Sequence, residues 1–130
     1  MKNNKVKYDL QERLIVFAID IILLVESLPN TKSANHIGGQ VLRSGTSPAF
    51  NYGEAQSAES RRDFIHEMKV CLKELRETQI GLKMIHRLKI AKSQQEVERL
   101  LKECGELVSI FVKSIETAER NRTVVKQKKL

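Results

Sequence analysis

Apolar residues recur every three or four positions in four successive segments of this chain, and a short break separates each segment from the next. This spacing is typical of an amphipathic helix, and no segment shows the period-two alternation of a strand. The predicted helices are α1 over 9–28, α2 over 33–58, α3 over 60–89 and α4 over 93–119. Pro29 and Asn30 end α1, whereas Ser60 and Ser93 are typical N-cap residues. Four such helices with short connections predict an all-α, antiparallel up-and-down four-helix bundle.

Each predicted helix has a line of residues that we expect in the core of the bundle. In α3 the line is Phe64, Met68, Cys71, Leu75, Thr78, Leu82 and Ile85. In α4 it is Val97, Leu101, Cys104, Val108, Phe111 and Ile115. Both lines keep to one face of a helix with 3.6 residues per turn.

The basic charge of the chain lies at its two ends. The 130 residues have a formal net charge of +7, with 23 basic and 16 acidic residues. Removing the eight basic residues of 1–8 and 120–130 from the 23 leaves 15 basic against 16 acidic residues in 9–119. We therefore expect one bundle domain over 9–119, between a basic N-terminal arm, 1–8, and a basic flexible tail, 120–130.

The sequence predicts a soluble cytoplasmic protein. The most apolar run, 14–25, has twelve residues and includes Asp20, whereas a membrane-spanning helix needs about 20. No N-terminal segment has the pattern of a signal peptide. Cys71 and Cys104 are far apart on apolar helix faces, so we expect buried free thiols in a reducing compartment rather than a disulfide.

The predicted α2 has almost no charge. Only Arg43 and Glu54 are charged within 34–58, although the outer face of a surface helix normally carries many charges. On a helical wheel, the residues opposite the apolar face are Arg43, Ser47, Phe50, Asn51 and Glu54. An aromatic ring among small polar groups is more typical of a protein interface than of a hydrated surface. This line is the predicted oligomer interface, and an exposed polar face with one isolated phenylalanine is the alternative.

The predicted α1 is apolar over more of its circumference than one core line requires. Ile15, Ile19, Ile22 and Leu23 widen its apolar arc. Such a helix is buried on more than one side. The second side either belongs to an interface or packs broadly within the same bundle.

An acid-free run of basic residues follows the predicted bundle. Its members are Arg120, Arg122, Lys126, Lys128 and Lys129. A basic run after a neutral body is typical of phosphate binding, so the sequence predicts RNA or DNA as a partner of these residues. A hydrated terminus or contact with an acidic protein are the alternatives. With two tyrosines, four phenylalanines and no tryptophan, we expect electrostatic binding with little base selectivity.

No catalytic, metal-binding or cofactor motif stands out in the sequence. The three histidines lack the spacing of metal ligands. Glu74 and Glu77 are a pair of carboxylates, but we expect them to accept hydrogen bonds from Arg43 or Asn51 rather than to catalyse a reaction. We therefore expect a polar network of these four residues, and a non-enzymatic protein with no catalytic residue, metal or cofactor.

Several short motifs resemble a known family. In α2 and the end of α1 they are Arg43-Ser44, Ser47, Asn51, Glu54 and Leu28-Pro29. In α3 they are Asp63-Phe64, Leu72, Glu74 and Glu77-Thr78. Over roughly 10–111 the chain resembles the bacterial four-helix-bundle family named after proteins encoded within intervening sequences of 23S ribosomal RNA genes. It differs at Pro48, where that family usually has an aliphatic residue, with proline one position later.

The resemblance implies more than the residues alone do. It implies a closed up-and-down bundle that assembles as a ring-like homopentamer. It also implies kinship with the accessory protein of diversity-generating retroelements, a pentamer that works with a reverse transcriptase and binds nucleic acid. Two functions are thus expected: an oligomer that binds RNA or DNA through its basic ends, or a scaffold that docks a partner protein such as a reverse transcriptase.

Overall fold

The computed structural model describes the backbone of residues 9–129 and the side chains of residues 9–121. Its helices are α1 Leu10–Glu26, α2 Lys32–Gln56, α3 Arg61–Leu88 and α4 Gln94–Lys129. Residues 9–129 contain no strand, so the prediction of an all-α, four-helix fold is confirmed. The expected N-terminal arm, 1–8, lies outside the described residues, as do the side chains of Arg122, Lys126, Lys128 and Lys129.

Side-chain oxygens accept a hydrogen bond from a backbone N–H in the first turn of each helix. Ser60 Oγ accepts from Asp63 at 3.0 Å and Ser93 Oγ from Glu96 at 3.1 Å, which confirms the two predicted caps. Thr31 caps α2, which begins at Lys32, one residue before its predicted start. Each bond satisfies one of the four N–H groups that a helix start leaves without an intrahelical acceptor.

Neighbouring helices run antiparallel, as contacts between their opposite ends show. Gln11 in α1 donates to the carbonyl of Ala49 near the end of α2, and His86 at the end of α3 lies 3.0 Å from Glu98 at the start of α4. The order around the described bundle is α1, α2, α3, α4, with α1 and α3 on one diagonal. This is the up-and-down topology expected when short connections join consecutive helices.

The core is built from large aliphatic and aromatic side chains of all four helices. Those with less than 2% exposure include Phe17, Ile21, Val41, Leu75, Leu82, Leu100, Leu107 and Phe111. The ring of Tyr52 packs edge-on against Phe111 with 6.0 Å between centroids. Burial of such side chains is the main source of stability of a bundle.

Two glycines let α2 approach its neighbours closely. A Cβ atom on Gly45 would lie 2.9 Å from Ile21 Cγ2 in α1, and one on Gly81 in α3 would collide with Val41 Cγ2. Neither position leaves room for a Cβ atom unless its neighbour moves. The packing of α2 against both α1 and α3 therefore depends on the absence of a side chain at these positions.

Ion pairs join α1 to α4. Among the four pairs of neighbouring helices, these two have the smallest contact. The Arg13 guanidinium donates to Glu103 at 2.7 Å and to Glu106 at 2.8 Å. Arg99 donates to Asp20 at 2.9 Å. Hydrogen bonds and the charge of Glu103 and Glu106 raise the pKa of Arg13 above its usual value, so the guanidinium stays charged.

The last helix is longer than predicted. We expected α4 to end near Glu119, but it continues to Lys129. The segment 120–129 contains no proline or glycine, and arginine, lysine and glutamine are good helix formers. The boundary between the bundle and the basic segment is therefore not a boundary of secondary structure.

Candidate interaction surfaces

The predicted interface line lies on the outer side of α2. Phe50 is 74% exposed, one of the most accessible large apolar side chains that the structure describes. Arg43 and Glu54 are exposed, whereas Ser47 and Asn51 are half-buried. The Ser47 hydroxyl donates to the Arg43 carbonyl at 2.7 Å, so its hydrogen is turned toward its own helix. The free surface of this line therefore consists mainly of an aromatic ring between two opposite charges.

Arg43 bridges α2 and α3. Its guanidinium donates to Glu74 at 3.0 Å and to Glu77 at 2.9 Å. The Arg43 side chain is 52% exposed, but Glu74 is only 13% exposed. The hydrogen bond to Glu77, followed by the charge of Glu74, raises the pKa of Arg43. Asn51 stands apart from this cluster, because its side chain makes no hydrogen bond to a residue in 9–121.

We call the exposed aliphatic side of α1 the α1 face. Its members are Ile15, Val16, Ile19, Ile22 and Leu23, with exposures between 38% and 63%. The alternative that these side chains pack broadly within their own bundle is therefore wrong. The charge nearest to the middle of the helix, Asp20, is turned away to Arg99, and Glu12 and Glu26 are the exposed charges at the two ends of the face.

A second apolar surface, which we call the α3 face, was missed by the sequence reasoning. It consists of Ile80, Met84 and Leu88, all about half exposed. Their spacing of four residues was visible in the sequence, but the residues lie off the core line of α3. The signal that identifies them is apolar character on the side of a helix where charge is expected.

The α3 face borders a groove of about 340 Å³ between α2 and α3. The groove is lined by His36, Ile37, Gln40, Arg43, Ser44, Glu77, Ile80, Gly81 and Met84. Gly81 adds no side chain to the groove, and the small Ser44 side chain hydrogen-bonds with Thr78 at 2.8 Å. The groove therefore combines an apolar part, formed mainly by Ile80 and Met84 of α3, with polar groups from both helices.

Basic side chains flank the α3 face. Lys73, Arg76, Lys83 and Arg87 are exposed, and none forms an ion pair with a residue in 9–121. On a helical wheel they lie together, whereas Glu74 and Glu77 lie toward α2 and pair with Arg43. The outer side of α3 is thus positively charged around an apolar centre.

The predicted nucleic-acid-binding residues lie on the last part of α4. The backbone is helical from Arg120 through Lys129. The last buried residue that the structure describes is Ala118. The helix continues eleven residues beyond it, about 16 Å at 1.5 Å per residue.

The described residues offer no arrangement typical of catalysis. No group of three or more His, Cys, Asp or Glu side chains in them could hold a metal ion. Cys71 and Cys104 are free and buried, and burial raises the pKa of each thiol to about 12. A thiol with that pKa is almost entirely protonated at neutral pH and is a poor nucleophile. None of the helices, as far as the chain is described, has a stretch with the length and hydropathy to span a membrane.

The comparisons with known proteins agree on one family. The family described as 23S rRNA-intervening sequence protein matches residues 7–113. The chain is also similar to the crystal structure of a protein of unknown function from the S23 ribosomal protein family of Bacteroides thetaiotaomicron. The two are 30% identical with a TM-score of 0.74, over 81% of this chain and 96% of that one. A comparison with curated proteins finds no match.

The matched segment contains all the helix motifs on which the resemblance was based, and it ends before the basic part of α4. The match with the similar structure includes 96% of that chain, so the relationship extends over the whole bundle and not over a fragment of it. The chain belongs to the 23S rRNA-intervening sequence protein family.

Proposed function

We propose that this protein is a non-enzymatic binding module that assembles as a homo-oligomer and binds RNA or DNA through its basic ends. The observation that carries this proposal is a contrast between two parts of the molecule. The body is nearly neutral and has an uncovered aliphatic side, whereas the end of α4 has five basic residues and no acidic one. The resemblance implies a homopentamer as the form of the assembly.

Self-association is supported by the α1 face and by Phe50. Five aliphatic side chains on one helix and a phenylalanine on the next are accessible in a single copy. A contiguous apolar surface of this kind on a soluble bundle marks an interaction site. Covering these side chains with another protein removes them from water, at about 25 cal/mol for each Å² buried.

Nucleic-acid binding is supported by the placement of charge. The five basic residues lie within the last ten positions of one helix, and no acidic residue lies among them. Each cation that contacts a phosphate releases a counterion, so affinity falls as salt rises. An oligomer would carry one such helix on every copy, which raises the apparent affinity for a long nucleic acid.

The test replaces Arg120, Arg122, Lys126, Lys128 and Lys129 with glutamine. We expect the wild-type protein to bind a single-stranded oligonucleotide, with a slope of log K against log salt of about −3.5 for each α4 end if all five cations contact phosphates. The variant should lose most of this slope and keep its oligomeric mass. Fluorescence anisotropy over a salt series measures the first property, and light scattering after size exclusion measures the second.

A matched control variant has the same change in net charge, but its substitutions lie on the bundle instead of the end of α4. It replaces five other exposed basic residues, Arg61, Arg62, Lys92, Lys102 and Lys113, with glutamine. If both variants bind equally well, the α4 end is not the binding site. If the wild-type protein itself binds no nucleic acid at low salt, the module is instead a scaffold that docks a partner protein, such as the reverse transcriptase that the resemblance implies.

A further inference from the structure

We propose that the α1 face of one copy packs against the α3 face of a second copy, in a head-to-tail contact that each copy makes twice. The proposal rests on the self-association proposed above and assigns the two surfaces that meet. It is supported by the spacing of charges, by the position of the two faces in the bundle and by their apolar centres.

The centre of the α1 face is an isoleucine between two acids. Glu12, Ile19 and Glu26 follow one another at intervals of seven residues, which places them in one line along the helix. All three side chains are exposed. Ile15 and Ile22 lie beside this line, so the surface is an aliphatic strip with a negative charge at each end.

The α3 face repeats this pattern with the opposite charge. Lys73, Ile80 and Arg87 also follow one another at intervals of seven residues and are exposed. In both helices the two outer residues are separated by 14 positions, about 21 Å along the axis. When Ile19 of one copy is opposite Ile80 of the other, both acids therefore lie opposite a basic residue, whichever way the helices run.

The charges disfavour a contact between two identical faces. Two α1 faces would bring Glu12 and Glu26 against the same acids of the other copy, and two α3 faces would bring together eight basic side chains, four from each copy. Like charges opposed in an interface cost free energy, whereas opposite charges guide the partners into register. Only the mixed pairing covers both apolar strips and compensates the flanking charges.

The position of the two faces determines what kind of assembly results. Helices α1 and α3 lie on a diagonal of the described bundle, so their outer sides are turned away from each other and one copy can use both faces at once. A contact between two different surfaces of the same chain propagates from copy to copy. It ends in a closed ring if the rotation closes, and in a filament if it does not.

The test uses two variants that each remove one face. Ile19→Asp places a short carboxylate opposite Ile80, too far from Lys73 and Arg87 to pair with them, and Ile80→Asp places a carboxylate opposite the apolar Ile19, between the two acids of α1. Each variant alone should be a monomer by light scattering. Mixed in equal amounts, the two variants should form a dimer, because Ile19→Asp keeps its α3 face and Ile80→Asp keeps its α1 face. Both residues are exposed, so circular dichroism should show unchanged helix content.

Four outcomes would count against the proposal. An Ile80→Asp variant that still associates while Ile19→Asp does not would indicate that two α1 faces meet. Variants that keep the wild-type mass would show that other surfaces form the contact, and loss of oligonucleotide binding in Ile80→Asp at unchanged mass would assign the α3 face to nucleic acid. A wild-type protein that is a monomer would instead contradict the self-association on which the proposal rests. Ser109→Asp, on the exposed side of α4, is the control and should keep the mass.

A charge exchange tests the register. Glu12→Lys with Glu26→Lys should lower the oligomeric mass, and so should Lys73→Glu with Arg87→Glu. All four changes in one chain restore opposite charges across the contact, and the mass should recover. Failure to recover, with helix content intact, would contradict the pairing of these residues.

Discussion

Arg43 shows how one side chain can serve the fold and leave a functional surface free. Its guanidinium joins α2 to two carboxylates of α3 and remains half exposed. Within residues 9–121, Arg43 is the one cation that forms an ion pair with Glu74, the more buried of the two carboxylates. A carboxylate in that position is tolerated because a cation compensates its charge. The acids of α3 are thus used within the chain, which leaves its outer basic residues available to a partner.

Gly81 offers the clearest test of packing at the scale of one residue. Gly81→Ala should lower the free energy of unfolding by about 1–3 kcal/mol, because the added Cβ collides with Val41 and the close-packed core has little room to shift. Urea unfolding followed by circular dichroism measures the change.

The control for this prediction is Gly105→Ala. A Cβ there would meet only the Gln79 amide nitrogen at 3.7 Å, an ordinary contact. Because alanine favours a helix over glycine by about 1 kcal/mol, this variant should be as stable as the wild type or more stable. Equal losses in the two variants would refute the role given to the space at Gly81.

The four helices could be predicted from the sequence because each has a capping residue, an apolar period and a break after it. The core line of α3 was predicted well, since six of its seven residues are buried and Phe64 is half-buried. The line of α4 was less complete. It missed Leu100 and Leu107, which are fully buried, whereas Leu101 and Val108 are half-buried. A helix that packs against two neighbours buries a wider arc than one line of residues describes.

The interaction surfaces were harder to predict than the helices. The excess of aliphatic residues in α1 was visible, but only the structure shows that they are exposed rather than packed against α4. The α3 face was missed because an isolated Ile80 or Met84 among charged residues has no special meaning until the fold shows which side it lies on. The extension of α4 was missed because the acid-free basic run after Glu119 was interpreted as a flexible tail, although 120–129 contains no proline or glycine.

The pairing of α1 with α4 gives a prediction for a whole element. Arg13→Gln removes the ion pairs with Glu103 and Glu106 and should lower the free energy of unfolding by about 0.5–1 kcal/mol in dilute salt. The loss should shrink in 1 M salt, where charges are screened over about 3 Å. Lys69→Gln, which removes an exposed pair with Glu119, should have a smaller effect. A loss for Arg13→Gln that does not depend on salt would point to packing by its aliphatic stem instead.

At the scale of the whole molecule, the outer side of α2 lies between the two faces assigned to the head-to-tail contact. Phe50 is on this side and is exposed. Phe50→Glu should therefore lower the mass measured by light scattering at micromolar concentration, with helix content unchanged. Gln95→Glu, which adds the same charge at an exposed position near the start of α4, is the control and should leave the mass as it is. An unchanged mass for Phe50→Glu would remove α2 from the interface and leave α1 and α3 to form it alone.

The close approach of α2 to its neighbours also has an evolutionary consequence. Gly81 faces Val41, and Gly45 faces Ile21, each across a gap that admits no further carbon atom. A related chain with alanine at position 81 would need a side chain smaller than valine at position 41, and the same exchange of volume applies to positions 45 and 21. We expect these two pairs to covary among relatives, while exposed positions such as 39 change independently.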